Sequence, residues 1–253
     1  MYATERQQQI LNQARLDGRV EVKDLADALE VTPETVRRDL TSLERRGLLR
    51  RVHGGAIPVE RLGIEPAVAD REGRMAAQKD RIAKAALDEL PDGGSIILDA
   101  GTTTVRLAQL LPTDREITVV THALPIASLL AARPNVSLHL LGGIVRHRTL
   151  AAVGDWVLRA MQDVFVDVAF VGTNGITAAR GLTTPDLTEA AVKRALVAGS
   201  RRTVVLADHT KFGREDFARF AGLERVDTVI SDLELADEMV DEIEAAGPRV
   251  VRA

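Results

Sequence analysis

Two groups of residues have the types and spacing to do chemistry. The first lies in "VTPETVRRDLTSLERRGLLRRVHGGA", residues 31–56, where Arg37, Arg38, Arg45, Arg46, Arg50 and Arg51 are opposed only by Glu34, Asp39 and Glu44. Guanidinium groups pair bidentately with guanine edges, while hydroxyls and helix N-terminal amides hold phosphate oxygens. The second group is "ILDAGTTT" (97–104) and "LADHTKFG" (206–213). Glycine lets a ligand approach the backbone, and threonines beside the first amides of a helix make a phosphate cradle. A routine strand-to-helix turn capped by Thr102 would use the same residues, and the first motif alone does not decide between the two. In the second, Asp208 and Lys211 are a carboxylate and an ammonium three residues apart. They suit hydroxyls and a phosphate, or a surface pair of little energetic worth. Only five of the 33 basic residues are lysines (Lys23, Lys79, Lys84, Lys193 and Lys211), and Lys211 follows a strand-like run, which favours ligand contact. Lys193, beside Arg194 in a helical stretch, is expected in solvent.

The arginine-rich stretch needs a rigid support. Residues 5–16 put Ile10, Leu11 and Ala14 at helical spacing, and Lys23–Leu29 puts Leu25, Ala26 and Leu29 on one face. A third helix starts with Thr32 as N-cap and Pro33 in the first turn, runs to about Arg46 and stops at Gly47. Val36, Leu40 and Leu43 make its apolar stripe. Glu34, Arg38, Thr41 and Arg45 centre the opposite face, flanked by Thr35, Arg37 and Ser42. Two short strands around Gly54-Gly55 would form a wing carrying Arg50, Arg51 and His53. Caps, stripe, arginines and wing agree on a winged helix-turn-helix that contacts DNA, rather than a charged helix face that is merely solvated.

Beyond residue 75 strand-like and helix-like runs alternate. Strands are expected at 95–99, 117–121, 136–141, 168–172, 203–207, 228–231 and 249–251, and helices at 79–90, 104–111, 124–132, 156–163, 189–199 and 236–246. That alternation predicts a mostly parallel sheet covered by helices, with ligands outside the carboxyl ends of the strands. Those ends carry Asp99 to Thr104, His122, Gly142-Gly143, Thr173-Asn174-Gly175, and Asp208 with Lys211.

Composition bounds the rest. With 253 residues, 45% hydrophobic and 28% charged, the chain suits a small and a larger soluble domain. There is no cysteine, which excludes disulfides, thiolate metal sites and cysteine nucleophiles. The five histidines lack metal-ligand spacing, and no metal or cofactor is expected. The start lacks a signal-peptide core and no apolar run reaches the roughly 20 residues of a membrane span, so a cytoplasmic protein without membrane contact is expected.

The segment "TPETVRRDLTSLERRGLLRRVHGGA" resembles the signature of DeoR-type transcriptional regulators, with Thr35 to Leu40 at the core of the recognition helix. "ILDAGTTT", "LLGG", "FVGTNGI", "GLTTPDLTEAAVKRAL" and "LADHTKFG" resemble that family's effector domain, so the likeness spans nearly the whole chain. It implies a winged helix-turn-helix at 3–58, a linker at 59–75, and an α/β effector-binding and oligomerisation domain at 76–253 related to sugar-phosphate isomerases and CoA transferases. It implies a repressor of sugar-metabolism genes that binds double-stranded operator DNA as a homodimer or homotetramer and responds to a phosphorylated sugar. Expected DNA contacts are Thr32, Thr35, Arg37, Arg38, Ser42, Arg45, Arg50, Arg51 and His53. Expected effector contacts are Asp99, Gly101, Thr102, Thr103, Thr104, His122, Gly142, Gly143, Thr173, Asn174, Gly175, Asp208 and Lys211. One position departs: His122 stands where the family commonly has asparagine.

Two other functions use the same chain. A sugar-phosphate isomerase would need a carboxylate base, for which Asp99 and Asp208 are the candidates, but no neighbouring residue in the sequence marks either as tuned for it. A DNA-binding protein with a ligand-free oligomerisation domain would bind duplex regardless of metabolite. Neither a P-loop nor a nucleophile elbow is present, and no catalytic role is expected.

Overall fold

The computed structural model describes residues 3–17, 19–46, 48–52, 54–58 and 67–253. The chain divides into two units, Met1–Asp70 and Arg71–Ala253.

The first unit runs α1 (Ala3–Asp17), β1 (Val20–Glu21), α2 (Val22–Ala28), α3 (Pro33–Arg45), β2 (Leu49–Val52) and β3 (Gly55–Pro58). α3 begins with Pro33 in its first turn, and the Thr35 N–H donates to Thr32 Oγ1 at 3.2 Å, satisfying one amide that the helix cannot. Val36, Leu40 and Leu43 are buried and share a core with Ile10, Leu11, Leu25 and Leu49. Asp39 is buried too, which the apolar stripe does not explain. Its carboxylate accepts from Arg6 Nε at 2.6 Å and Gln7 Nε2 at 3.0 Å, so a charged pair ties α1 to α3. β2 and β3 form the expected hairpin, from Leu49↔Pro58 to Val52↔Gly55. β1 adds a third strand through Val20↔Ala56; two residues are too few to show a strand period in the sequence. Gly47, His53 and residues 59–66 of the expected linker lie outside the described residues. The remainder of that linker contains a short helix, α4 (Val68–Glu72).

The second unit continues with α5 (Ala76–Ala85), β4 (Ser95–Leu98), α6 (Thr102–Leu110), β5 (Ile117–Thr121), α7 (Leu124–Leu130), β6 (Val136–Leu140), β7 (Ile144–Arg146), β8 (Ala151–Val153), α8 (Asp155–Met161) and β9 (Val166–Gly172). It ends with β10 (Gly175–Thr177), β11 (Gly181–Thr184), α9 (Leu187–Ala198), β12 (Ser200–Leu206), β13 (Ala218–Ala221), β14 (Thr228–Ser231), α10 (Asp237–Ala245) and β15 (Arg249–Arg252). The seven expected strands all enter one sheet, in the order β15-β14-β12-β9-β4-β5-β6, with every pairing parallel. Its central strands are apolar on both sides because helices cover both faces. Ile97, Ala169, Val171 and Val205 belong to the core with Val157 of α8, Leu196 of α9 and Ile243 of α10. Ile96, Leu98, Val168, Phe170, Val204 and Leu206 belong to the core with Ile82 of α5, Leu107 of α6 and Ile126 of α7. The strand period of two sorts the residues onto the two faces.

From β4 the chain steps outward to β5 and β6, then returns to β9 on the other side of β4 and continues to β12, β14 and β15. The winding therefore reverses between β4 and β9, paired through Ile96↔Val168, and the carboxyl ends at such a reversal are where sheets of this kind place ligands. Two small antiparallel sheets, β7-β8 and β10-β11-β13, lie outside the expected strands. With three or four residues each, they are too short to carry a readable alternation.

Leu40→Ala should cost about 2–5 kcal/mol in urea denaturation of the full chain followed by circular dichroism, while Arg38→Ala should stay within about 0.5 kcal/mol. Equal losses would mean that the buried and exposed faces of α3 have been assigned the wrong way round.

Candidate functional site

Asp99 follows β4 directly and is 0% exposed. A buried carboxylate needs partners, and it has them on three sides. Oδ2 pairs with Lys193 Nζ and accepts the Gly172 N–H at 2.9 Å; Oδ1 lies 3.0 Å from His122 Nε2. Burial pushes its pKa up, but the Lys193 charge, followed by the His122 hydrogen bond and charge, outweighs burial and brings the group down to about 2. Lys193 also donates to Gly172 O at 2.9 Å and lies 5.4 Å from the centre of the Phe220 ring. The expectation of a solvent-exposed Lys193 is therefore wrong. α9 carries Lys193 one turn after buried Glu189, on the face turned to the sheet, while Arg194 alone of the pair is exposed. His122 reaches the other way, its Nδ1 2.8 Å from Ala152 O on β8. Arg146 on β7 pairs with Glu189 at 2.7 Å and Asp186 at 3.2 Å. The β7-β8 hairpin is thus held from β5 and from α9.

Next to this ion pair the chain enters α6 through Gly101. The Thr104 hydroxyl donates back to Asp99 O at 2.6 Å, so Thr104 locks the turn. The Thr102 and Thr103 hydroxyls have no hydrogen-bond partner among the described residues, and the first amides of α6 are free by helix geometry.

A second cluster gathers at the start of α5. Lys79 is buried, and its Nζ donates to Arg71 O and Arg74 O at 2.6 Å each. Burial lowers its pKa to about 8; Asp208 works against the shift, while Lys211, Arg71 and Arg106 add repulsion. The pKa of Lys211 is lowered as well, by burial first, with Asp208 opposing and Arg214, Arg71 and Arg74 repelling. Asp208 is the main counter-charge to both lysines, yet burial prevails. Its carboxylate caps the turn that follows, accepting the Thr210 N–H at 3.1 Å and the Thr210 hydroxyl. An environment that disfavours its own ammonium groups is one that an anion stabilises. The sequence pointed to Lys211 and missed Lys79; the scarcity of lysine was the available signal.

Of the remaining expected contacts, Gly143 and Gly175 serve close packing: a Cβ would stand 2.6 Å from Val153 O at Gly143 and 2.4 Å from Arg214 O at Gly175. Gly142 has open space around it. Thr173 donates to Gly175 O at 2.7 Å, and Asn174 Oδ1 accepts from the Thr184 hydroxyl at 3.1 Å, so this corner is tied to β11. His209, not singled out for metal binding, lies with Asp232 and Glu234 so that one ligand atom of each falls within 4.8 Å of the others. Asp232 is already engaged there by the His209 and Glu234 amides at 2.9 and 3.1 Å.

In the first unit, Arg37, Arg38, Arg45, Arg50 and Arg51 are all exposed, with Thr35 and Ser42 half-buried between them. The Arg38 side chain is 81% exposed and only 4.0 Å from Glu34, a weak pair that leaves its fork free. Thr32 is spent on capping and its hydroxyl lies 2.9 Å from that of Thr35. The Arg51 N–H donates to Glu44 Oε1 at 2.9 Å, fastening the wing to α3.

Residues 6–61 match the DeoR-like helix-turn-helix domain and residues 74–233 the DeoR C terminal sensor domain. Curated relatives include the HTH-type transcriptional regulator GlpR of Haloferax volcanii, 40% identical over 93% of this chain and 91% of the relative. Another is the glycerol-3-phosphate regulon repressor of Escherichia coli, 30% identical over 92% of each. Among solved structures, ribose 5-phosphate isomerase A from Methanocaldococcus jannaschii aligns with a TM-score of 0.40 at 18% identity over 55% of each chain. Among the described residues no helix is long and apolar enough to cross a membrane.

Lys193→Met should destabilise the protein by about 3–5 kcal/mol, because it leaves Asp99 buried and unpaired. Since its folded pKa is depressed, Asp99 contributes stability above its ordinary value of 3.8 and loses it as pH falls towards about 2. The variant's deficit should therefore shrink in acid melts; a deficit independent of pH would assign it to packing alone.

Proposed function

Because this chain belongs to the DeoR family of DNA-binding transcriptional regulators, we propose that it represses sugar-metabolism genes and is released from its operator by a phosphorylated sugar or polyol. The Lys79–Lys211 cluster carries the proposal. Two ammonium groups with lowered pKa values, and an α6 N-terminus with free hydroxyls, each suit the dianion of a phosphate ester. The polyol part would lie over the carboxyl ends at Gly101–Thr104, His122 and Thr173-Asn174. Fructose, tagatose and glycerol phosphates are the candidates to test.

In the reader, Thr35, Arg37, Arg38 and Arg45 would meet the major groove, with Ser42, Arg50, Arg51 and His53 on phosphates. Residues 3–58 would form this module, 59–75 the connection, and 76–253 the sensor. Two copies paired through the sensor, as a dimer or within a tetramer, would span half-sites in the cytoplasm. Catalysis is the weaker reading, because Asp99 has both oxygens engaged and Oδ1 of Asp208 is taken up by Thr210.

The direct test is to select genomic fragments with the purified protein and titrate sugar phosphates against the bound duplex. Release by one compound supports the proposal, and indifference to all of them points to the ligand-free oligomerisation reading. Arg38→Ala should weaken specific binding by about 1–3 kcal/mol with little change on random duplex. Equal losses on both would reduce Arg38 to a phosphate contact. Effector binding should weaken as pH rises through about 8, where Lys79 loses its proton in the free protein, the bound anion holding that proton on. Lys79→Arg, always charged, should flatten the profile; a profile unchanged by that substitution removes Lys79 from the site.

A further inference from the structure

Val157 and Met161 turn one side of α8 into the core, and the other side presents Asp155, Trp156, Arg159 and Ala160 to solvent. Trp156, the only tryptophan of the chain, is 75% exposed, although an indole is among the side chains with most to gain from burial. Ile144 on β7 is exposed to the same extent, and Leu140 at the end of β6 is about half exposed. Leu140 and Ile144 bracket the corner at Gly142-Gly143. A Cβ on Gly143 would stand 3.0 Å from Val157 Cγ2, so that corner rests on α8 next to Trp156. From Pro134 to Val145 there is no lysine, arginine, aspartate or glutamate. Single apolar residues on a surface are ordinary, but three at one corner, one of them tryptophan, mark an interaction site.

The charges of α8 say what covers it. Asp155 and Arg159 stand one helical turn apart, in the order that favours a pair. They nevertheless form no ion pair, with each other or elsewhere, among the described residues. An acidic and a basic residue placed in this way match their own image under a two-fold axis. With two α8 helices antiparallel, Asp155 of each copy comes within reach of Arg159 of the other. Trp156 of each then lies over the small Ala160 of the other, since positions four apart share a helix face. A surface that is complementary to itself is what a closed dimer requires.

We propose that α8, rimmed by Leu140 and Ile144, is the surface through which two copies of this chain pair about a two-fold axis. This rests on the reading that copies associate through the sensor, and it names the face they use. Trp156 is the anchor, and the uncharged corner at Leu140–Ile144 shields it from water.

The test is sedimentation velocity of the full chain over a dilution series, read together with tryptophan emission. The wild-type chain should associate at micromolar concentration, and its emission should move to the red on dilution as Trp156 returns to water. Trp156→Glu should weaken association about thirtyfold or more with an unchanged far-UV circular dichroism spectrum, because the residue lies outside the core. Asp155→Arg and Arg159→Asp should each weaken it about tenfold by setting like charges face to face, and the double exchange should restore it. A double exchange as weak as the single ones, or a Trp156→Glu chain that associates like the wild type, would overturn this surface while leaving pairing through another face of the sensor in place. A wild-type chain that stays monomeric throughout the series would overturn the pairing itself, and this surface with it.

Discussion

Everything at the carboxyl end of the sheet depends on one buried carboxylate being allowed to stay charged. Asp99 sits at the reversal of the winding, where β4 and β9 part, and a lone anion there would not survive desolvation. Lys193 from α9, the Gly172 amide from β9 and His122, just after β5, all converge on it. Three separate elements are thereby held to one point. The turn into α6 inherits its position from that arrangement through the Thr104 hydroxyl.

The same ion pair divides the polar residues by role. Asp99, Thr104 and Lys193 have their hydrogen bonds directed into the protein and act as supports, as does Oδ1 of Asp208. Lys211, Thr102 and Thr103 are left with capacity to spare, as is the third N–H of Lys79. The supports lie in the ion pair and the turns around it, and the spare donors lie at the start of α6 and in the lysine cluster.

The sequence was most legible where a pattern is repeated by physics. Val36, Leu40 and Leu43 recur at helical spacing, and the seven strands read as apolar runs because helices cover both faces. Thr32-Pro33 marked the start of α3 because capping chemistry is local. Lys193 was misread because nothing within its own helix shows that a carboxylate nearly a hundred residues earlier awaits it. Lys79, Asp39 and the small sheets β7-β8 and β10-β11-β13 were missed for the same reason. Their placement is decided by distant partners or by stretches too short for a period, and no window of sequence contains the cause.

The position of β9 beside β4 has a consequence for how the protein is made. The two central strands pair through Ile96↔Val168, so the sheet cannot close until the intervening chain has been synthesised and has crossed over β5 and β6. The first unit, built from near neighbours, faces no such wait. Contacts of long sequence separation form late because the loop between them must be closed first. On a ribosome the arginine-bearing module would thus mature while its sensor is still an open half-sheet with β4 as a bare apolar edge. For that interval the nascent chain has its helix-turn-helix module but not its sensor domain.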